Sequence, residues 1–483
     1  MHHALQIQEI LSNIFDFCSP PLPSAYYKKA TSSPELVALA GTCRAFKEPA
    51  LNALWRVLVD LSPLARCLPE ASHRLVLQNM YSFTRPLTKT EWDVLQSYAR
   101  RVRSILDIHR GLNKESLRTL SDHFSATGPL FPNLRTLHGL YARKTMPLLH
   151  LPLPSLVSLD IKFENLRLFQ ESFKSFPNHF QNIRRLVVRV QPLGLIPLCI
   201  KPGYFCRWQN LWSLDCPQLA LDRDALLHLS RMPALTQLGF ALSAALPAFD
   251  TPPLFSNLHR LKLYSESLQP TSRLLSQIQL PTITDLIAFV DDYPSREELS
   301  SFLAGIQTSS AGNTIQKLQL AQSFPCLERV PRSDALLLGF EDLRPCMGFR
   351  NLRHLSFDIE WNVGLTDSDV LTLATAWPWL EVLLINEEWG WNSQGGITPG
   401  GLVRLLQTCQ SLLGLALALD TRGYTEPPSS EVLASFQSTL PPVFSVDVVD
   451  SSIKAESMPA VTTLFSGFAA CSNFSFVPWR GGW

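Results

Sequence analysis

One phrase of apolar and polar positions recurs along most of the chain. It consists of a large residue, a spacer, an asparagine or small residue, and then L-x-x-L-x-apolar. Clear copies are FPNLRTL (131–137), FQNIRRLVV (180–188), FSNLHRLKL (255–263) and FRNLRHLSF (349–357). The first apolar residue of the pair stands at positions 102, 134, 156, 183, 211, 235, 258, 283, 315, 352, 380 and 412. The mean spacing of about 28 residues is typical of leucine-rich repeats.

Each copy predicts a short strand, because its last apolar positions alternate and turn into the interior. Intervening stretches predict helices at 223–232, 366–377 and 399–409, with start signals at 366–367 and at Pro399. We therefore predict an α/β fold, a leucine-rich-repeat solenoid whose parallel strands line the concave face of a horseshoe. The alternative is a doubly wound α/β enzyme. That fold would show longer buried strands and a phosphate loop, which the sequence lacks.

Residues 1–56 do not follow the repeat. Apolar residues at 5–15 fall on one helical face, and two more such faces lie within 34–58. The segment between them, 19–34, is rich in proline and serine and reads as a loop. Three short helices bury little surface. We expect a partner or the neighbouring domain to complete this module.

The N-terminal segment resembles an F-box. The resemblance is carried by IQEILSNIFDFC (7–18) and LVALAGTCRAFKEPALNALWRVL (36–58), and extends to TKTEWDVLQSYARRVR (88–103). Together with the repeats, it makes the chain similar to F-box proteins of mushroom-forming fungi. The family implies docking on a Skp-type adaptor, which joins a cullin scaffold and a RING subunit, while the repeats capture a protein substrate for ubiquitin transfer. Ile7-Gln8 replaces the family's usual Leu-Pro, and the 19–34 loop is longer than usual.

The matching positions imply the residues that contact the adaptor or form the core of the module. They are Leu5, Ile7, Ile10, Leu11, Ile14, Phe15, Leu36, Val37, Leu39, Cys43, Phe46, Leu51 and Trp55. Leu5, Ile7 and Ile10 are the first candidates for partner contact, and Trp55 for an anchor between module and solenoid. We place the F-box at 1–56, a helical connector and N-terminal cap at 57–101, the solenoid at 102–440, and a C-terminal cap and tail at 441–483.

Strand residues that point away from the core are the candidates for substrate binding. They include Arg185, Arg189, Arg260, Lys262, Tyr264, His354 and Asp358. Their basic excess suits a phosphorylated substrate, and ordinary solvated charge is the alternative. The glycine-rich loop at 386–401 adds Asn386, Trp389 and Trp391, which either recognise a substrate or fold back as a cap.

Composition narrows the function classes. The net charge of +1 provides no global field that would favour nucleic acid or an anionic membrane. Neither a C-x-x-C nor an H-E-x-x-H motif occurs, so we expect no metal site, no cofactor and no enzymatic activity. The N-terminus lacks the pattern of a secretory signal, and we expect an intracellular protein, cytoplasmic or nuclear. Two other functions remain open: a repeat scaffold without ubiquitin transfer, and an F-box protein that uses the adaptor alone.

Overall fold

The structure is a computed structural model. It describes residues 7–18, 33–77, 80–108, 110–141, 153–173, 180–191, 198–200, 208–243, 249–309, 311–323, 336–392, 396–429, 431–433, 443–451, 453–471 and 473–477. The chain forms two compact units. The first comprises residues 1–194 and 202–216, and the second comprises 195–201 and 217–483.

The first unit begins with three helices and continues into a parallel sheet. Its helices are α1 (Gln8–Phe17), α2 (Pro34–Thr42), α3 (Arg44–Trp55), α4 (Ser62–Arg66), α5 (Lys89–Ala99), α6 (Lys114–Thr127) and α7 (Leu166–Phe173). Its strands are β1 (Val57–Leu58), β2 (His73–Leu77), β3 (Met80–Phe83), β4 (Ser104–Ile105), β5 (Thr136–Tyr141), β6 (Ser158–Phe163) and β7 (Arg185–Val190). The parallel order is β1-β4-β5-β6-β7, followed by the first part of β9 (Ser213–Leu221). Strands β2 and β3 form a separate antiparallel hairpin.

The second unit alternates strands and helices. Its helices are α8 (Arg223–Ser230), α9 (Leu268–Gln277), α10 (Arg296–Thr308), α11 (Phe340–Leu343), α12 (Asp367–Ala376), α13 (Pro399–Thr408) and α14 (Met458–Cys471). Its strands are β8 (Leu198–Ile200), β10 (Gln237–Ala241), β11 (Arg260–Ser265), β12 (Asp285–Val290), β13 (Lys317–Gln322), β14 (Leu337–Leu338), β15 (His354–Asp358), β16 (Asn362–Val363), β17 (Val382–Ile385), β18 (Gly414–Ala416), β19 (Val443–Asp447) and β20 (Asn473–Val477). Nine strands pair in parallel in the order β10-β11-β12-β13-β15-β17-β18-β19-β20.

The recurring phrase forms the repeats. At all twelve positions its first apolar residue is at most 2% exposed. Burying one such side chain stabilises the fold by about 1.5–3 kcal/mol, so the stacked repeats of each unit share a core. The helices predicted at 223–232, 366–377 and 399–409 are present as α8, α12 and α13. The predicted fold class, an α/β leucine-rich-repeat solenoid, is confirmed.

The asparagine of the phrase also has a structural role. Asn133, Asn182, Asn257 and Asn351 each donate a hydrogen bond from Nδ2 to a main-chain carbonyl at the same level of the preceding repeat, over 2.7–2.9 Å. All four bonds are exposed to solvent and each spans two repeats. The asparagine therefore ties adjacent repeats together at a point that the strand hydrogen bonds do not reach.

The sheet extends beyond the predicted solenoid boundaries. Strand β1 lies in the predicted connector and pairs with β4. Strands β19 and β20 lie in the predicted C-terminal cap, where they continue the sheet next to β18. In β19 the pair is Val443-x-x-Val446, in register with Leu412-x-x-Leu415, whereas β1 and β20 have Trp55 and Asn473 at the first position of the pair, and none of the three was predicted as a copy.

Helix α5, which lies in the predicted helical connector, is anchored by a carboxylate. Thr88 and Glu91 form a capping box at its start. Glu91 also accepts hydrogen bonds from Ser72 and from Arg85, whose Nη2 lies 2.8 Å from Oε1. These bonds, with that from Arg85 the strongest, hold the pKa of Glu91 well below its usual range. The helix is therefore fixed to the segment that carries the β2–β3 hairpin.

Candidate docking surface

Helix α1 has two apolar faces with different surroundings. Leu11 and Phe15 are 2% and 3% exposed, and they pack into the three-helix module. The adjacent face carries Ile10, Ile14 and Phe17, together with Ile7 directly before the helix, and they are 36%, 41%, 90% and 46% exposed. Their spacing of three, four and three residues places them in one stripe along the helix. We name these four residues the α1 stripe.

The core behind the stripe is small but complete. Leu11, Phe15, Leu36, Ala50 and Ala53 form a buried cluster, against which Leu39, Ala40, Phe46 and Leu54 pack. The rings of Phe15 and Phe46 meet edge to face, with 5.5 Å between their centroids. Because this core already holds the three helices together, the exposed stripe is not needed for packing within the module.

The structure separates the residues that the F-box resemblance grouped together. Leu11, Phe15, Leu36 and Trp55 are buried, Leu39, Cys43, Phe46 and Leu51 are partly buried, and Ile7, Ile10, Ile14 and Val37 are exposed. Leu5 lies outside the described residues. The buried members face the core of the module. The expected contact with the adaptor is therefore restricted to the exposed members. Phe17 was missed, although its position three residues after Ile14 places it on the same stripe.

Trp55 lies where α3 meets the following segment. Its indole packs on the ring of Tyr98 in α5, with 4.6 Å between ring centroids. This contact joins the three-helix module to α5 within the first unit. Trp55 was predicted to anchor the module to the solenoid, and this contact reaches α5 in the predicted connector instead.

Two predicted basic residues of the sheet already have acidic partners. Arg189 contacts Asp160 at 2.8 Å, and Arg260 contacts Asp285 at 2.6 Å. Arg185 is partly buried. These ion pairs reduce the basic excess predicted from the sequence, because two of the predicted cations are locally neutralised.

His354 is a partly buried strand residue without a positive charge at neutral pH. Burial, followed by the nearby charge of Lys317, lowers its pKa to about 4. Lys262 and Tyr264 lie on β11, and Tyr264 stacks on Phe289 with 4.9 Å between ring centroids. The outward side of β11 and β12 therefore presents an aromatic pair beside a lysine.

The tryptophan loop is part of the structure rather than an open recognition loop. Trp391 is fully buried, and its Nε1 donates to the carbonyl of Ile385 at 2.8 Å. Asn386 is also fully buried, and its side chain bonds with the main chain of Ile359, Trp361 and Gly390. The prediction that Trp391 and Asn386 contact a substrate is therefore wrong, because neither presents surface.

Two carboxylates hold the main chain of the same loop. Asp450 accepts from the main-chain N–H groups of Trp391 and Asn392, at 2.9 and 2.7 Å. Asp358 accepts from the N–H groups of Glu388 and Trp389. Asp358 is therefore reassigned from substrate contact to loop support. Trp389 is partly buried beside it.

Across the described part of the chain, no helix combines the length and apolar character needed to cross a bilayer. Those residues also hold no group of three His, Cys, Asp or Glu side chains placed to bind a metal ion.

Comparisons with known proteins give structural likenesses only. No protein-family model matches the sequence, and no curated protein is significantly similar to it. A chain of the yeast Rad7–Elc1 complex is similar in structure at 14% identity and a TM-score of 0.34, over 79% of this chain and 90% of that one. An internalin, InlF of Listeria monocytogenes, is similar at 10% identity and a TM-score of 0.32, over 80% and 89%. At these values neither structure bears on what this chain binds.

Proposed function

We propose that this chain is the substrate-recognition subunit of a cullin-RING ubiquitin ligase. The three-helix module is an F-box that docks on a Skp-type adaptor, and the repeats hold a protein substrate. The chain performs no catalysis itself. Its contribution is proximity, which raises the effective concentration of the substrate near the ubiquitin-loaded enzyme.

The α1 stripe is the observation that carries this proposal. Four large apolar side chains stand exposed on one helix whose other face already fills a core. Contiguous exposed apolar surface of this kind marks interaction sites in soluble proteins. An amphipathic helix with two apolar faces fits a module that buries one face internally and the other against a partner.

Two cysteine thiols, those of Cys67 and Cys409, are poorly suited to nucleophilic catalysis. Burial raises the pKa of both Cys67 and Cys409 to about 11. At neutral pH these thiols stay protonated, and the thiolate is the nucleophilic form. Neither residue is therefore suited to carry ubiquitin or another acyl group as a thioester.

Docking of the adaptor is tested by replacing two stripe residues. The Ile10→Lys/Ile14→Lys variant should lose co-purification with a Skp-type adaptor, because two cations would be buried in an apolar interface. Lysine suits helices, and both positions are exposed, so circular dichroism should show an unchanged fold. The measurement is capture of purified adaptor by the tagged full chain.

The matched control replaces two exposed leucines of the repeats. Leu254 and Leu413 are 53% and 43% exposed, and the Leu254→Lys/Leu413→Lys variant introduces the same two charges. It should retain the adaptor. Equal capture by both variants would remove the α1 stripe from the proposal.

Testing the captured material for cullin as well distinguishes the three candidate functions. Adaptor together with cullin supports the ligase subunit. Adaptor without cullin supports an F-box protein acting outside a ligase. A folded chain that captures neither supports a repeat scaffold without ubiquitin transfer.

A further inference from the structure

A polar site lies in the first unit, between the three-helix module and the start of the repeats. It is a cleft of about 360 Å³. Its lining includes Ser12 of α1 and Glu48 and Asn52 of α3, with Asn133 from the next repeat. We name it the arginine cleft, because Arg56, Arg100, Arg101 and Arg103 line the same space.

The charges of the cleft do not balance. The lining holds four arginines and one acidic residue, Glu48, whose carboxylate lies 2.8 Å from Nη2 of Arg101. Among the described residues, the side chains of Arg100 and Arg103 make no hydrogen bond or ion pair, and both residues are exposed. Like charges brought together without counter-charge raise the free energy of the fold.

Hydrogen-bond acceptors are also scarce in the cleft. The Arg101 side chain is only 9% exposed, and it donates to Asn52 and Glu48. Its Nε is shielded from solvent and has no acceptor among the described residues. A buried donor without an acceptor is costly. Donors therefore exceed acceptors, as expected of a site that binds an anion.

Main-chain hydrogen bonds hold the arginines in position. The carbonyl of Arg56 accepts from the N–H groups of Arg103 and Ser104, at 2.9 and 3.0 Å. Asn133 donates to the carbonyl of Arg100 at 2.8 Å. The cations are thus fixed at the base of their side chains before any ligand binds, which reduces the entropy cost of binding.

We infer that the arginine cleft binds a small anion carrying several phosphate groups. Its volume lies at the low end of small-molecule sites, which span about 300–1,000 Å³. Guanidinium groups pair with phosphate oxygens through two parallel hydrogen bonds, so several arginines suit several phosphates. A bound anion would contact both α3 and the 100–103 segment and would stabilise their arrangement. This inference does not depend on docking of the adaptor.

Isothermal titration calorimetry of the full chain with sodium tripolyphosphate, at fixed ionic strength, tests the inference. The Arg100→Ala/Arg103→Ala variant should bind at least about tenfold more weakly, because charge-assisted hydrogen bonds are lost. Both side chains are exposed and unpaired, so the fold should be unaffected. Glu48→Gln should bind several-fold more tightly, because the carboxylate that competes for Arg101 is removed.

The control is Arg118→Ala/Arg350→Ala, which removes two exposed arginines elsewhere and causes the same change in net charge. It should bind tripolyphosphate like the unmodified chain. Failure of the unmodified chain to bind would overturn the inference. Equal weakening in the Arg100/Arg103 variant and the control would also overturn it, because attraction would then reflect only net charge.

Discussion

Helix α1 and the loop at 386–392 both carry large apolar side chains next to polar ones, but these side chains differ in how far the fold buries them. Along α1, the four stripe residues remain exposed although the module has a closed core. In the loop, Trp391 is enclosed and its indole N–H has a main-chain acceptor. Polar atoms of Asn386 and Asp450 hold the surrounding main chain.

The difference shows what each region needs from outside the chain. The loop is completed by the chain itself, because neighbouring segments supply both apolar surface and hydrogen-bond partners. In the described residues, no neighbouring segment buries the α1 stripe. An apolar surface without internal partners indicates a binding site more strongly than aromatic residues in a glycine-rich loop.

Among the substitutions that test this comparison, the largest loss of stability is expected at Trp391. Trp391→Ala should lower the free energy of unfolding by about 3–5 kcal/mol, because it removes a large buried side chain. Trp379→Ala is the control, since that tryptophan is 59% exposed and should change stability by about 0.5 kcal/mol or less. Urea unfolding measures both. Similar values for the two variants would contradict the enclosed position of Trp391.

A smaller effect is expected at Asn386. Its φ angle is +50°, and that of exposed Asn392 is +49°, so alanine meets the same backbone strain at both positions. Asn386→Ala should cost about 1–3 kcal/mol more than Asn392→Ala, because buried main-chain groups lose their partners. Urea unfolding of the two variants gives the difference directly. A difference near zero would mean that the side-chain bonds of Asn386 do not support the loop.

The third prediction concerns α5, which, like the loop, is fixed by a carboxylate. The pKa of Glu91 in the folded chain lies below its ordinary value of 4.5. Its contribution to stability is therefore complete above that value and is lost as the pH falls further, because the unfolded chain binds the proton first. Glu91→Gln should flatten the dependence of the urea midpoint on pH below about 4.5. Exposed Glu70→Gln is the control, and an equal flattening there would assign the effect to general charge.

Capture of the adaptor tests the functional side of this comparison at the α1 stripe. Loss of adaptor capture by the Ile10/Ile14 variant, with retained capture by the Leu254/Leu413 control, would show that the exposed stripe binds. The loop variants should leave capture unchanged as long as the chain is folded.

The sequence alone determined the repeat architecture. The spacing inside each L-x-x-L pair turns the same positions of every copy inward, so all twelve leading residues could be assigned to the core. The three N-terminal helices followed from their apolar spacing. The limits of the sheet did not, because β1 and β20 lack an aliphatic residue at the first position of the pair and β19 has valines in place of leucines, although all three strands pair with neighbours.

Only the tertiary structure decided which polar and apolar residues are available to a partner. Ile10 and Leu11 are adjacent and equally hydrophobic, yet one is exposed and the other buried, because packing of α1 on α3 selects a single face. Trp391 and Asn386 were removed from the binding surface by contacts with segments distant in sequence. The arginine cleft likewise joins residues 48–56 to 100–103, a proximity that arises from the pairing of β1 with β4.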